Sequence, residues 1–134
     1  MSEIFSYRVY YEDTDAGGVV YYANYLKFFE RARTDFLRKI SIIQSELLAK
    51  ENIIFVVKQC HIKYISPAKL DDILEISVAV KNITAASFLL EQEAKKSKNL
   101  LSNFEVEIVC IDATSFKPKK IPQAIRQLII GKIN

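Results

Sequence analysis

The chain has 134 residues, half of them apolar and about a quarter charged, with a formal net charge of +3. That suits one domain spanning 1–134 with an ordinary core, and it lies too near the globular average for a disordered or fibrous chain. The slight positive charge does not argue for nucleic acid, although it does not repel an anionic ligand. The longest apolar runs, such as 53–57, fall far short of the ~20 residues of a membrane span.

The N-terminus "MSEIFSYRVYY" lacks the basic-then-apolar build of a signal peptide, which places the chain in the cytoplasm. One histidine and two widely separated cysteines give no spacing for a metal site. Cys60 and Cys110 each sit in an apolar strand-like run, where a small buried thiol is expected.

In chain order, Phe5–Tyr11 is aromatic and β-branched enough for a first strand, ended by the acidic, glycine-containing "EDTDAGG". From Tyr22 a long helix is expected: Tyr25, Phe29, Ala32 and Phe36 recur at helical spacing with Leu26 and Leu37 beside them, while Lys27, Glu30, Arg31, Asp35 and Arg38 fill the other faces. A shorter helix follows in "SIIQSELLAKEN", capped by Ser41 or Ser45 and ending near Asn52. Strands then take over. "IIFVVKQCHIKYI" leads through the turn "SPAKLDD" to "ILEISVAVKNI", where Leu74, Ile76, Val78 and Val80 alternate, and "SFLLEQEAKK" turns at "KSKN" into "LLSNFEVEIVCID". "QAIRQLII" reads as a short C-terminal helix, with Pro122 suited to its first turn.

One long helix and about five long strands predict an α+β arrangement with an antiparallel sheet of about five strands wrapped around the helix. Open edge strands in such a sheet favour pairing across a two-fold axis into a dimer.

The chemistry concentrates at "DTDAGG". Asp15 lies a few residues before the long helix, with Gly17 and Gly18 between, so the backbone there can turn tightly and admit a ligand. The free N–H groups and positive dipole end of the helix favour a carboxylate or a developing oxyanion. On these grounds alone Asp15 is either a helix cap or a catalytic acid beside an oxyanion hole. "DAGG" is no dinucleotide fingerprint, and no G-x-S-x-G elbow is present.

Arg8-Val9, Thr14-Asp15, Gly18-Val19-Val20 and Tyr25, at their spacing, resemble the active-site signature of the 4-hydroxybenzoyl-CoA thioesterase family, which has the hotdog fold. The stretches "RVYYEDTDAGGVVYYANYLKFFERARTDFLR", "FVVKQCHIKY", "PAKLDDILEI" and "KPKKIP" resemble its YbgC branch, acyl-CoA thioesterases associated with the Tol-Pal system. The resemblance runs from about Tyr7 to Pro122. It implies hydrolysis of acyl-CoA to free acid and coenzyme A with no metal or prosthetic group. It also implies a homodimer, often paired into a tetramer as a dimer of dimers, with active sites at the subunit interface.

Carried over by position, Asp15 matches the catalytic carboxylate, as nucleophile or as general base. The Tyr22 backbone N–H matches the group that polarises the thioester carbonyl, and Gly18 the small residue beside that carbonyl. Preorganised N–H donors stabilise such a charge without reorganisation. Tyr21 and Tyr25 are expected in the acyl pocket, whose depth depends on how Tyr21, Tyr22, Tyr25 and Phe28 are arranged between two subunits. Lys58, Lys63 and the run Lys117, Lys119 and Lys120 are candidates for the phosphates of coenzyme A, against the reading of solvated charges.

The chain departs from the family pattern at Tyr22, where YbgC-like chains usually carry histidine. The backbone donor is spared, but an imidazole is lost, and a phenol is poorly matched as a base near pH 7. The Tyr22 side chain is then a hydrogen-bond donor or an aromatic pocket wall. His61 matches no functional position and reads as an exposed or satisfied sheet histidine. Asp13 is expected to bond loop N–H groups, and Asp71-Asp72 to serve the turn before the next strand. The rival to the enzyme is a non-catalytic hotdog partner or scaffold that binds acyl carrier or Tol-Pal components. A dehydratase or passive acyl-CoA binder comes third, since dehydratases of this fold generally want a catalytic histidine.

Overall fold

A computed structural model describes residues 2–133; the first and last residues of the expected domain, 1 and 134, lie outside the described residues. β1 (Glu3–Arg8) leads through a 3-10 turn (Tyr11–Asp13) and a loop to a second 3-10 turn (Tyr22–Asn24), which runs into α1 (Tyr25–Lys39). α2 (Gln44–Glu51) follows. Four long strands come next, β2 (Ile53–Tyr64), β3 (Ile73–Ile83), β4 (Ser87–Lys96) and β5 (Asn99–Asp112), and then α3 (Gln123–Ile130). The strands form one antiparallel sheet in the order β1-β3-β4-β5-β2. No helix among the described residues is long and apolar enough to cross a membrane.

The period-2 pattern decides which sheet face meets α1. Leu74, Ile76, Val78 and Val80 of β3, Phe88 and Leu90 of β4, and Phe104, Val106 and Ile108 of β5 are all buried. They enclose the apolar stripe of α1, in which Tyr25, Phe28, Phe29, Ala32, Phe36 and Leu37 are buried. Phe29 stacks on Phe104 with centroids 4.6 Å apart. The sheet thus wraps a central helix, as the hotdog resemblance implies, and the buried apolar residues, Ile111 excepted, form one cluster.

Several boundaries differ from the expectation. β1 ends at Arg8 rather than Tyr11, because Tyr11–Asp13 curls into a 3-10 turn whose Asp13 carboxylate accepts the Tyr10 N–H at 2.8 Å. Ser41 does not cap α2. It has φ +69 and closes α1, the Ile42 N–H reaching back to the Leu37 carbonyl at 2.8 Å, as in a Schellman ending. Ser45 lies inside α2, and the N-cap position is Ile43, which makes no side-chain cap bond. Asn52 does end α2, in the left-handed conformation that asparagine tolerates. Leu26 is 40% exposed rather than part of the buried stripe, since it lies on the flank of α1.

Cys110 is buried as expected, but Cys60 is exposed. The reason is position in the sheet. β2 is an edge strand, broken in register by a bulge between Val57 and Gln59, and residues 57–61 are exposed on both faces.

Candidate active site

The two adjacent glycines of "DAGG" have different tasks. The Asp15 N–H donates to the Val19 carbonyl at 2.9 Å and the Gly18 N–H to the Asp15 carbonyl at 3.0 Å, inside a Thr14–Val20 antiparallel bridge. The chain therefore reverses direction over Asp15–Gly18, with Gly18 at φ +78. A residue with a Cβ pays about 1–2 kcal/mol there. Gly17 serves the carboxylate instead: its N–H donates to Asp15 Oδ1 at 2.8 Å, and an added Cβ would stand 3.2 Å from the same oxygen. Asp15 is exposed, and among the described residues its Oδ2 has no hydrogen-bond partner.

The loop is held from both sides. Asp13, only 4% exposed, accepts the Tyr21 N–H and the Asn24 side-chain amide on its carbonyl, each at 3.0 Å. Its carboxylate, accepting the Tyr10 N–H, fulfils the turn role expected of it. The Val20 N–H donates to the Ala68 carbonyl at 2.8 Å, and the Ala68 N–H donates to the Tyr25 hydroxyl at 3.0 Å. Asp72, beyond that turn, accepts the Lys69 N–H at 2.8 Å, as the turn expectation required.

The α-helix begins at Tyr25 and not at Tyr22; a 3-10 turn supplies its first residues, an ordinary way for a helix to start. The Asn24 N–H bonds back to the Tyr21 carbonyl at 2.8 Å, while among the described residues the Tyr22 and Ala23 N–H groups have no acceptor. Two free donors thus open the helical segment just after the Asp15 turn.

Four tyrosines gather at this point. The Tyr64 hydroxyl donates to the Tyr22 carbonyl at 3.0 Å. The Tyr22 ring lies 4.8 Å from Tyr21 and 6.0 Å edge-on from Tyr64, and Tyr25 lies 5.5 Å from Tyr64. Tyr22, Tyr25 and Tyr64, with Val20, Ile65 and Pro67, border an open cleft of about 230 Å³; Tyr21, expected in the acyl pocket, is not part of its lining. Tyr22 is 61% exposed. The Tyr21 phenol is raised above its ordinary value, first by hydrogen bonding to the Tyr22 phenol and last by the Asp15 charge. Burial raises Tyr25 and Tyr64. These shifts keep the Tyr21, Tyr25 and Tyr64 phenols protonated, as donors rather than bases.

Asp15, Gly18, Tyr21, Tyr22 and Tyr25 lie on this one loop and helix start. Within one chain the structure does not bring the lysines to them. Lys58 sits in the β2 bulge. Lys63, one residue from Tyr64, points to the opposite sheet face, where it borders a cavity with His61, Glu91, Asn103 and Glu105. Lys119 is tied to the Glu51 carbonyl at 3.0 Å and lies 3.9 Å from Asp112. His61 is exposed, as expected. Phe28, one of the residues on whose arrangement the pocket depth was expected to depend, is 1% exposed and belongs to the core. Tyr64 was not singled out by sequence reasoning, although Ile62 and Tyr64 share one face of β2 and the alternation there pointed to it.

The model of the thioesterase-like superfamily matches residues 9–129. Acyl-CoA thioesterase YbgC of Haemophilus influenzae is 45% identical over 122 residues, covering 91% of this chain and 90% of that protein. Acyl-CoA thioesterase YbgC of Helicobacter pylori is 34% identical over 131 residues, covering 91% and 96%. Among solved structures, a probable thioesterase from Bartonella henselae superposes with a TM-score of 0.87 at 36% identity, covering 91% of this chain and all of that one.

Proposed function

The chain belongs to the thioesterase-like superfamily, in its group of YbgC acyl-CoA thioesterases, and from that premise we propose that it hydrolyses acyl-CoA to a free acid and coenzyme A at the Asp15 turn. The observation that carries the reading is the adjacency in sequence and fold of an exposed carboxylate and unpaired helix-start N–H groups. The thioester carbonyl oxygen accepts from the Tyr22 N–H, where negative charge develops as the carbon becomes tetrahedral. Asp15 either attacks that carbon, giving a mixed anhydride that water then opens, or draws a proton from the attacking water. Both routes release the thiol of coenzyme A and leave the acid. Gly18 leaves room for the acyl carbonyl, and Tyr21 and Tyr25 flank the acyl group.

The working unit is a homodimer paired through β2. This strand has 12 residues, a free edge and an exposed Val57 and Cys60, and its partner strand would satisfy the edge groups. Two such dimers form the tetramer that family membership implies. Lys58 and Lys63 reach coenzyme A phosphates only across that assembly. The cytoplasm is the compartment that suits an acyl-CoA substrate.

One observation favours a second reading, a scaffold that binds acyl carrier or Tol-Pal components: the histidine usual in YbgC-like chains is Tyr22 here. Thiol release over a panel of acyl chain lengths separates the two. Turnover of at least one acyl-CoA far above the uncatalysed rate supports the enzyme, and its absence over the whole panel favours the scaffold.

A further inference from the structure

A second polar group lies under the helix, away from Asp15. Gln92 of β4 is fully buried, and its Nε2 donates to the Phe29 carbonyl at 3.0 Å. That bond fixes the amide so that Oε1 accepts from Arg33 Nη1 at 3.3 Å. The Arg33 guanidinium also lies over the Phe104 ring, 5.8 Å from its centroid. Burial holds its pKa below the ordinary arginine value, with the Glu30 charge opposing, and the guanidinium stays charged. Yet among the described residues Arg33 has no ion-pair partner. Glu30, one turn earlier, accepts the Thr34 hydroxyl at 3.0 Å instead.

A guanidinium has five N–H donors, and among the described residues this one gives a single hydrogen bond. The group borders a cavity of about 190 Å³ walled by Glu30, Thr34 and Gln44 as well as by apolar side chains that include Phe55, Val57 and Leu90. A half-desolvated cation is costly unless it is paired, and Glu30, on the same cavity, is engaged by the Thr34 hydroxyl rather than by Arg33. A carboxylate is the group whose two oxygens match its fork.

The cavity and the tyrosine cleft lie on the same, helix-facing side of β2. Cys60 and Ile62 stand between Val57 and Tyr64 on that face of the strand, opposite Val106 and Phe104 of β5. Arg33 stands eight residues beyond Tyr25 on α1, about 12 Å along the axis. Helical side chains lean toward the N-terminus, which shortens that reach. We infer that Arg33, held by Gln92, is a specificity-determining residue that receives a terminal carboxylate on a medium-length acyl group. The inference rests on the thioesterase reading above.

The test compares adipyl-CoA with hexanoyl-CoA and suberyl-CoA with octanoyl-CoA, in the wild type, Arg33→Met and Arg33→Lys, with sedimentation of each protein. The expected wild-type kcat/KM favours the carboxylate-ended member by at least about tenfold at one of the two lengths, and Arg33→Met lowers that ratio by about tenfold or more. Arg33→Lys, which keeps the charge and loses the fork, falls between. A wild type that prefers the methyl-ended member at both lengths overturns the inference, as does an unchanged ratio in Arg33→Met. Dissociation of the dimer with an unchanged ratio overturns it too, assigning Arg33 to an acid of a second copy. Should Arg33→Met not fold, the wild-type ratio and Arg33→Lys decide on the same criteria. If no acyl-CoA is hydrolysed at all, the thioesterase reading fails. Calorimetric titration with adipate and hexanoate then decides the inference: adipate binding that Arg33→Lys weakens sustains it, and equal or absent binding overturns it.

Discussion

The Gly17 N–H holds Asp15 Oδ1 at 2.8 Å, and a methyl group on the same glycine would stand 3.2 Å from that oxygen, tight enough that the carboxylate must shift. The carboxylate is aimed by its own turn. Gly17→Ala should therefore turn the exposed Asp15 side chain away from its position while leaving the fold alone. The expected kcat/KM for thiol release falls about tenfold or more, because small misplacements of a reacting group are expensive. Urea unfolding should shift by less than about 0.5 kcal/mol, as for other surface changes.

Gly18 behaves differently, since its φ of +78 is the constraint and nothing stands within 4 Å of an added Cβ. Gly18→Ala should cost about 1–2 kcal/mol in urea unfolding. Gly18→Asn should cost less, because asparagine visits that conformation readily. If Gly18→Asn is stable yet inactive, the space beside the glycine belongs to the substrate, as the family assignment holds. Equal costs for the two variants would show that conformation is not what the glycine supplies.

Asp72 supplies a pH dependence of stability. Burial pushes its carboxyl up, but the Lys96 ammonium at 2.8 Å and the Lys69 N–H at 2.8 Å outweigh this and hold it below 3.8. A carboxylate depressed in the folded state contributes stability that is full above its unfolded pKa and lost as pH falls through the folded value. Asp72→Asn should thus lower Tm at pH 7, by a margin that narrows as pH falls below about 4. A margin that is constant from pH 7 to pH 2.5 would contradict the ion pair.

The two cysteines report on assembly. Cys110 is fully buried, and burial pushes its thiol up, so it should resist a maleimide in the folded protein. Cys60 lies exposed on the β2 edge. In dilute protein it should react readily, and its rate should drop as concentration drives pairing through β2. A Cys60 rate independent of concentration, in a sample shown to be dimeric by sedimentation, would place the interface elsewhere.

How much of this was legible in the sequence depended on which physical signal each element carries. The alternation of Leu74, Ile76, Val78 and Val80 gave a strand with the correct buried face, and the helical spacing of Tyr25, Phe29, Ala32 and Phe36 gave the buried stripe of α1. Residues in special conformations were less readable. Ser41 at φ +69 ends a helix where a serine suggested a start, and the 3-10 turn at Tyr22–Asn24 carries no period of its own. Cys60 and Leu26 were misjudged because apolar residues at a sheet edge and on a helix flank carry the same local pattern as core residues. At the site, the glycine pair and Asp15 were visible in one short motif. Arg33 and Gln92 were not, because they are 59 positions apart and meet only when β4 packs under α1.

The most direct test of the account is thiol release by Asp15→Asn, measured on an acyl-CoA that the wild type hydrolyses. The substitution keeps the side-chain oxygen that can accept the Gly17 N–H, so the turn, the dimer and Tm should be preserved. The expected loss in kcat is at least about a hundredfold, the scale of a removed nucleophile or acid-base group. A folded, dimeric Asp15→Asn protein that releases thiol at the wild-type rate would contradict it.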